Sequence, residues 1–239
     1  MGLYDDSSYP VRPDLDAVHE NQIGRMGAPG SWGYGTQRLA VAIEARNAGY
    51  AAGVLEAAED CEETAEVDLP KVARRVIGAL AVAPKDISED FYNQALDDGL
   101  SDAEYVEIVG VVARITDFDV FARGIGVPLR PLPPPEPGLP SRQRPAEAVP
   151  EQAWPPTVPS GPKGGETGKS LYGGKPKSYI VRGLSLVPDE LRAHLELEEV
   201  QYLPLARIGE WDYQHHEGQT RAQVEVVAAR ISAINECFF

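Results

Sequence analysis

The chain has 239 residues, 43% of them hydrophobic, with a formal net charge of -15 at pH 7 and a pI near 4.7. The apolar share suffices for a real core, while the acidic balance excludes a nucleic-acid interface, which needs a basic face, and disfavours docking on anionic membranes. Two cysteines, Cys61 and Cys237, are too few for a disulfide framework, and neither a secretory leader nor a membrane-length apolar run can be read, so the composition reads as cytoplasmic with reduced thiols.

Residues 1–35 are polar and turn-rich and read as an irregular arm, with Trp32 and Tyr34 as its anchors. From Thr36, read as an N-cap, apolar residues recur at Leu39, Ile43, Ala45, Ala48, Ala52 and Leu55, close to helical spacing. LPKVARRVIGALAVAP puts Val72, Val76 and Leu80 on one stripe, and Pro84 stops it. Ser88 opens a short helix with acids in its first turn, where the helix dipole favours them. The next segment, LSDAEYVEIVGVVARITDFDVFARGIG, is the clearest helix. Ser101 and Glu104 form a capping box, Val106 to Phe121 supply a broad apolar face, and Gly124 and Gly126 end it. Residues 36–127 thus read as one all-α module.

Between residues 128 and 177 proline and glycine dominate, which bars interior helix or central strand and predicts a linker or a strap lying over the surface. Within it, GPKGGETGKS approaches a phosphate-binding loop, but that motif requires glycine at position 163, which is Lys163. No strand precedes it either, so 161–170 reads as glycine-rich linker. Helical signals resume over 178–239, ending in a helix from about Thr220 with Val224, Val227, Ala228, Ile231 and Ile234 on one face. This stretch reads as the opening of a second helical unit. The two halves resemble each other only weakly.

Few residues could carry chemistry. His215 and His216 are adjacent and lack further ligands at metal spacing, so they read as a solvated loop, and His19 and His194 show no partner. Glu225 and Cys237 remain. A thiol needs an activating neighbour to be a useful nucleophile, and a carboxylate can relay protons. Twelve residues apart on an unbroken helix they would sit about 18 Å from each other along its axis. Two readings stand on spacing alone: a helix with one inert cysteine, or a site formed where the helix breaks near Asn235.

The segment RAQVEVVAARISAINECFF resembles the approach to the active site of the alkylhydroperoxidase D / carboxymuconolactone decarboxylase family. Peroxidase members of that family carry Glu, eleven residues, then Cys-x-x-Cys followed by His, and Glu225 and Cys237 fall on the first two positions. PGSWGYGTQRLAVAIEAR is similar to the arm and first helix of two-module members, LSDAEYVEIVGVVARITDFDVFARGIGVPL to their late helices, and IVRGLSLVPDELR with QYLP to the start of their second module. The resemblance implies an all-α tandem protein: an arm over 1–35, a catalytically silent module over 36–127 with Ala51 and Val54 where relatives place cysteines, a linker over 128–177, and the leading part of a second module over 178–239. It implies peroxide reduction by a cysteine pair, with Cys237 the first thiol, Glu225 the relay acid, a dithiol as electron donor, no cofactor or metal, and a homo-oligomer. The second redox residue and the His of the motif fall beyond Phe239. One account is a selenocysteine codon read as a stop, since some members carry Cys-x-x-Sec; frameshift, an assembly edge and a pseudogene are the others. As it stands the polypeptide is expected to turn over little. The lactone-decarboxylase branch, which does not need the cysteine pair, and a non-catalytic helical scaffold are the alternative functions.

Overall fold

The computed structural model describes residues 2–56 and 64–237; Cys61, Phe238 and Phe239 lie outside them. Helices follow one another as α1 (Pro13–Gly24), α2 (Gly35–Ala51), α3 (Lys71–Val82), α4 (Glu89–Asp97), α5 (Asp102–Gly124), α6 (Gly165–Tyr172), α7 (Tyr179–Arg182), α8 (Pro188–Gln201) and α9 (Arg221–Ile234), with 3-10 turns at Pro84–Asp86, Gly161–Gly164 and Leu205–Arg207. Among the described residues there is no strand, only an isolated antiparallel bridge between Val149 and Thr157. The architecture is all-α.

Local chemistry sets several helix starts. Ser88 Oγ accepts from the Phe91 N–H at 3.2 Å. At α5, Ser101 Oγ accepts from the Glu104 N–H at 3.2 Å and the Glu104 carboxylate accepts from the Ser101 N–H at 3.0 Å, the reciprocal pairing of a capping box. Thr220 and Gln223 repeat the arrangement at α9. At α2 the cap is Tyr34 rather than Thr36, because the Gln37 side chain reaches back to the Tyr34 N–H at 3.0 Å.

The arm is not irregular, since it holds α1. Pro13 at the first position and Asp14 and Asp16 in the first turn favour a helix there. Its inward residues are His19, Gln22 and Ile23, mostly polar, so hydropathy alone shows no stripe. The Asp16 carboxylate accepts from the N–H groups of Leu3 and Tyr4 at 3.0 and 2.9 Å and folds the first residues back onto α1. Of the two expected anchors, Trp32 is half-buried, whereas Tyr34 is 41% exposed.

The main core forms where α2 and α3 pack on α5. Leu39, Ala42 and Ala45 from α2 and Ala73, Val76 and Ile77 from α3 meet Ile108, Val111, Val112, Ile115 and Phe118. The buried line of α3 is rotated from the expected stripe, leaving Val72 and Leu80 only half-buried. Helix α8 closes the other side: it packs on α1 and α5, and Leu197 joins the main core. Residues 178–203 therefore belong to the same body as α1–α5.

The proline-rich segment runs extended and is tied to the loop after α1. Glu136 N donates to Gly27 O at 2.8 Å, Ser141 N to Gly30 O at 3.3 Å, and Arg142 N to Ser31 O at 2.8 Å. Prolines tolerate this route because an extended surface strap needs few of their missing donors. Gly35 permits the approach: a Cβ there would collide with the Gly27 carbonyl. The stretch expected as glycine-rich linker is instead a 3-10 turn followed by α6. Its Gly164 and Gly168 lie against the Pro159 carbonyl, so these glycines serve backbone packing.

Candidate functional site

The residues singled out by the sequence lie on and just after α9. The Glu225 carboxylate accepts from the Tyr202 hydroxyl at 2.8 Å and pairs with Arg221 one turn earlier on the same helix. Burial pushes its pKa up, but the hydrogen bonds from Tyr202 and Arg221 and the Arg221 charge outweigh this and hold it below the usual range. Burial and the Glu225 carboxylate together push the Tyr202 hydroxyl up. Glu225 is thus a fixed, ionised acceptor. Arg221 also places its guanidinium 5.8 Å from the Trp211 ring centroid.

Helix α9 ends at Ile234. Glu236 then takes a left-handed conformation, φ 52°, and Cys237 N donates to Ser232 O at 2.9 Å. The Glu236 carboxylate pairs with Lys85 at 3.0 Å, which fixes this turn beside the 3-10 turn after α3. Cys237 is a free, exposed thiol. The helix does break where a shared site would need it. Even so, from Glu225 to Ile234 it advances about 14 Å, and Glu225 spends its carboxylate on Tyr202 and Arg221 rather than on the thiol.

The His215–His216 pair lies in the mostly exposed loop before α9, as expected, but both side chains are half-buried and bonded. His215 Nε2 contacts the Val200 carbonyl and His216 Nε2 the Tyr202 carbonyl, each at 3.1 Å, while Arg12 lies 2.9 Å from His216 Nδ1. These contacts cap the C-terminal end of α8 and tie it to the segment before α1. Burial, then the neighbouring His215 and Arg12, hold the His216 pKa below its ordinary value. Among the described residues no group of three or more His, Cys, Asp or Glu side chains is arranged to hold a metal ion. No described helix is long and apolar enough to cross a membrane.

Two polar clusters were not legible in the sequence. In the first, Arg38 of α2 reaches Glu107 of α5 and Glu190 of α8, both at 2.7 Å, and Arg114 of α5 reaches Glu190 at 2.6 Å. All four side chains are at most 6% exposed. Glu107 also accepts from the backbone N–H groups of Trp32 and Gly33. Burial raises the Glu107 carboxyl; at Glu190 burial acts the same way, but Arg114 and Arg38 outweigh it and hold that carboxyl low. The second cluster joins Tyr4 Oη to His19 Nδ1 at 2.7 Å, His19 Nε2 to Gln201 Nε2 at 2.8 Å, and Gln201 Nε2 to Asp117 at 2.9 Å. His19, expected to lack a partner, is fully enclosed by this string. His194 is pushed below its ordinary value by burial and then by the Arg114 charge.

A sequence signal for the α8–α9 region exists in hindsight. Pro13-Asp14 with His19, Trp32-x-Tyr34 and Ala45-Arg46 recur in the same order as Pro188-Asp189 with His194, Trp211-x-Tyr213 and Ala229-Arg230. The recurrence pairs α1 with α8 and α2 with α9. Arg46 is buried against Asp119, whereas Arg230 is exposed. No protein-family model matches the chain, and neither does any curated protein or solved structure.

Proposed function

We propose that this protein is a thiol-dependent hydroperoxide reductase of the alkylhydroperoxidase D kind, with Cys237 as its redox thiol. The observation that carries the reading is the placement of that thiol: free, exposed, and held in a left-handed turn directly after a capped helix bearing Glu225. An exposed thiol at a fixed turn is open to an incoming peroxide and to a reducing partner.

In the proposed cycle the Cys237 thiolate attacks one peroxide oxygen. The S–O bond forms as the O–O bond breaks, the departing alkoxide takes up a proton to give the alcohol, and Cys237 becomes the sulfenic acid. A dithiol donor then displaces water from that sulfur to give a mixed disulfide, and its second thiol releases the Cys237 thiolate, so both electrons come from the donor. The relay role that the resemblance gives Glu225 is not met by contact with the thiol, because Tyr202 and Arg221 engage its carboxylate, and the departing alkoxide takes its proton from solvent.

The test uses tert-butyl hydroperoxide with dithiothreitol, followed by dimedone trapping and mass spectrometry. The expected result is one dimedone adduct at Cys237, with only slow peroxide loss above the dithiothreitol background. Cys237→Ser should abolish both. Absence of the adduct in folded protein would overturn the assignment. A partner-binding scaffold is the second reading, favoured by the exposure of Val227, Ile231 and Ile234 on the same helix. Under it Cys237→Ser changes no binding.

A further inference from the structure

We propose that the open cleft lined by α2, α3, α5 and their connecting loops is a binding site for a small, neutral, apolar molecule about the size of one aromatic ring or a short alkyl chain. The site uses none of the α9 residues and stands independently of the thiol chemistry. Its lining includes Val41, Leu69, Ala73, Leu100, Ile108 and Val111 together with the polar residues Trp32, Arg38 and Glu107. The cleft measures about 110 Å³. An engineered apolar cavity of roughly 150 Å³ admits benzene, which sets the scale of ligand that fits.

The charges in the lining define the ligand by exclusion. Glu107 already accepts from Trp32 N at 2.6 Å, Gly33 N at 3.2 Å and Arg38 Nη1 at 2.7 Å, and the same Arg38 nitrogen reaches Glu190. The guanidinium and carboxylate are thus matched within the protein, leaving no ionic partner for a guest. Each lining charge that could attract an ionic guest is already engaged, Arg38 by Glu107 and Glu190, Glu107 by Arg38, and Glu104 by the Ser101 cap, so an anion or a cation would be desolvated without a free counter-charge. Two buried donors beside the cleft lack a partner, the Trp32 indole N–H and Arg38 Nε. A single hydroxyl or carbonyl oxygen is the most polarity they could meet. Small residues keep the space open: Ala73 on α3 faces it where a larger side chain would fill it, and Gly33 lines it without a side chain.

The experiment is a titration of the intact protein with benzene and with butan-1-ol, followed on the Trp32 indole N–H resonance. Butyrate and butylammonium serve as charged controls, and nuclear Overhauser contacts from benzene to the methyls of Ala73 and Val111 are collected in parallel. The expected result is a saturable shift with the neutral probes and contacts to both methyls. Ala73→Leu and Val41→Leu, each narrowing the cleft, should weaken binding by at least about tenfold, with helicity retained by circular dichroism. A shift that stays linear up to probe solubility, charged probes binding as well as neutral ones, or no contact to either methyl would overturn the proposal. The methyl contacts are measured in the parent protein, so they decide the question even if a filled variant fails to fold.

Discussion

His19 and Asp117 sit on one hydrogen-bonded string yet respond to acid in opposite directions. Burial lowers the His19 pKa to about 4. Between that value and the ordinary 6.5 the unfolded chain binds a proton that the folded one does not, so this contribution is complete above pH 6.5 and is lost as pH falls through about 4. For Asp117, burial raises the pKa to about 6, with the Gln201 hydrogen bond opposing. Its contribution is complete below the unfolded value of 3.8 and is lost as pH rises through about 6. The parent protein should therefore show a shallow melting-temperature profile between pH 4 and 6, and single variants should split it. Asp117→Asn is expected to melt progressively earlier as pH drops from 6.5 to 4, whereas His19→Gln should melt later over the same range. Parallel profiles for the two variants would refute this account. Neither property was legible in the sequence, because the partners of His19 come from residues 4 and 201 and no local pattern links them.

At the scale of elements, α8 is held by charge as well as by apolar contact. Glu190 lies between Arg38 and Arg114, and Gly110 makes room for it, since a Cβ there would meet the Glu190 side chain. Replacing one member of a buried ionic cluster leaves the others uncompensated. Glu190→Gln should cost about 3–5 kcal/mol in urea unfolding, and Gly110→Ala should also destabilise, in the range of about 1–3 kcal/mol expected of overpacking. Helix α9 is the contrasting case. Its cap and its apolar periodicity were readable, and the helix forms as expected from Thr220. Its apolar stripe nevertheless stays outside, with Val227, Ile231 and Ile234 more than half exposed. Ile231→Ala should alter stability by no more than about 0.5 kcal/mol, against about 2–5 kcal/mol for Ile115→Ala in the core. A comparable loss at both sites would mean that α9 is covered in solution.

At the scale of the whole molecule, contacts remote in sequence decide which helices form one body. Gln22 of α1 and Arg25, the residue after its end, both bind Glu196 of α8 at 2.7 Å, and Arg12 donates to the Val200 carbonyl at 2.8 Å. Helices α1, α5 and α8 should accordingly exchange their amide hydrogens as one cooperative unit, with α9, whose Val227, Ile231 and Ile234 are exposed, exchanging far faster. Separate transitions for 13–127 and 188–203 would show two independent units.

The sequence by itself determined the helical class, most helix boundaries and the extended character of the proline-rich strap. Those depend on capping side chains, on the 3.6-residue period and on proline's missing donor, all of which act within a few residues. Tertiary structure alone decided that polar residues form the inner face of α1, that the glycines of 161–170 pack on a carbonyl, and that α8 joins the first helices. It also decided that Arg38, Glu107, Arg114 and Glu190 converge. A buried charge is tolerated only where its counter-charges arrive, and here they come from three helices spread over 38–190, a meeting no local sequence rule encodes.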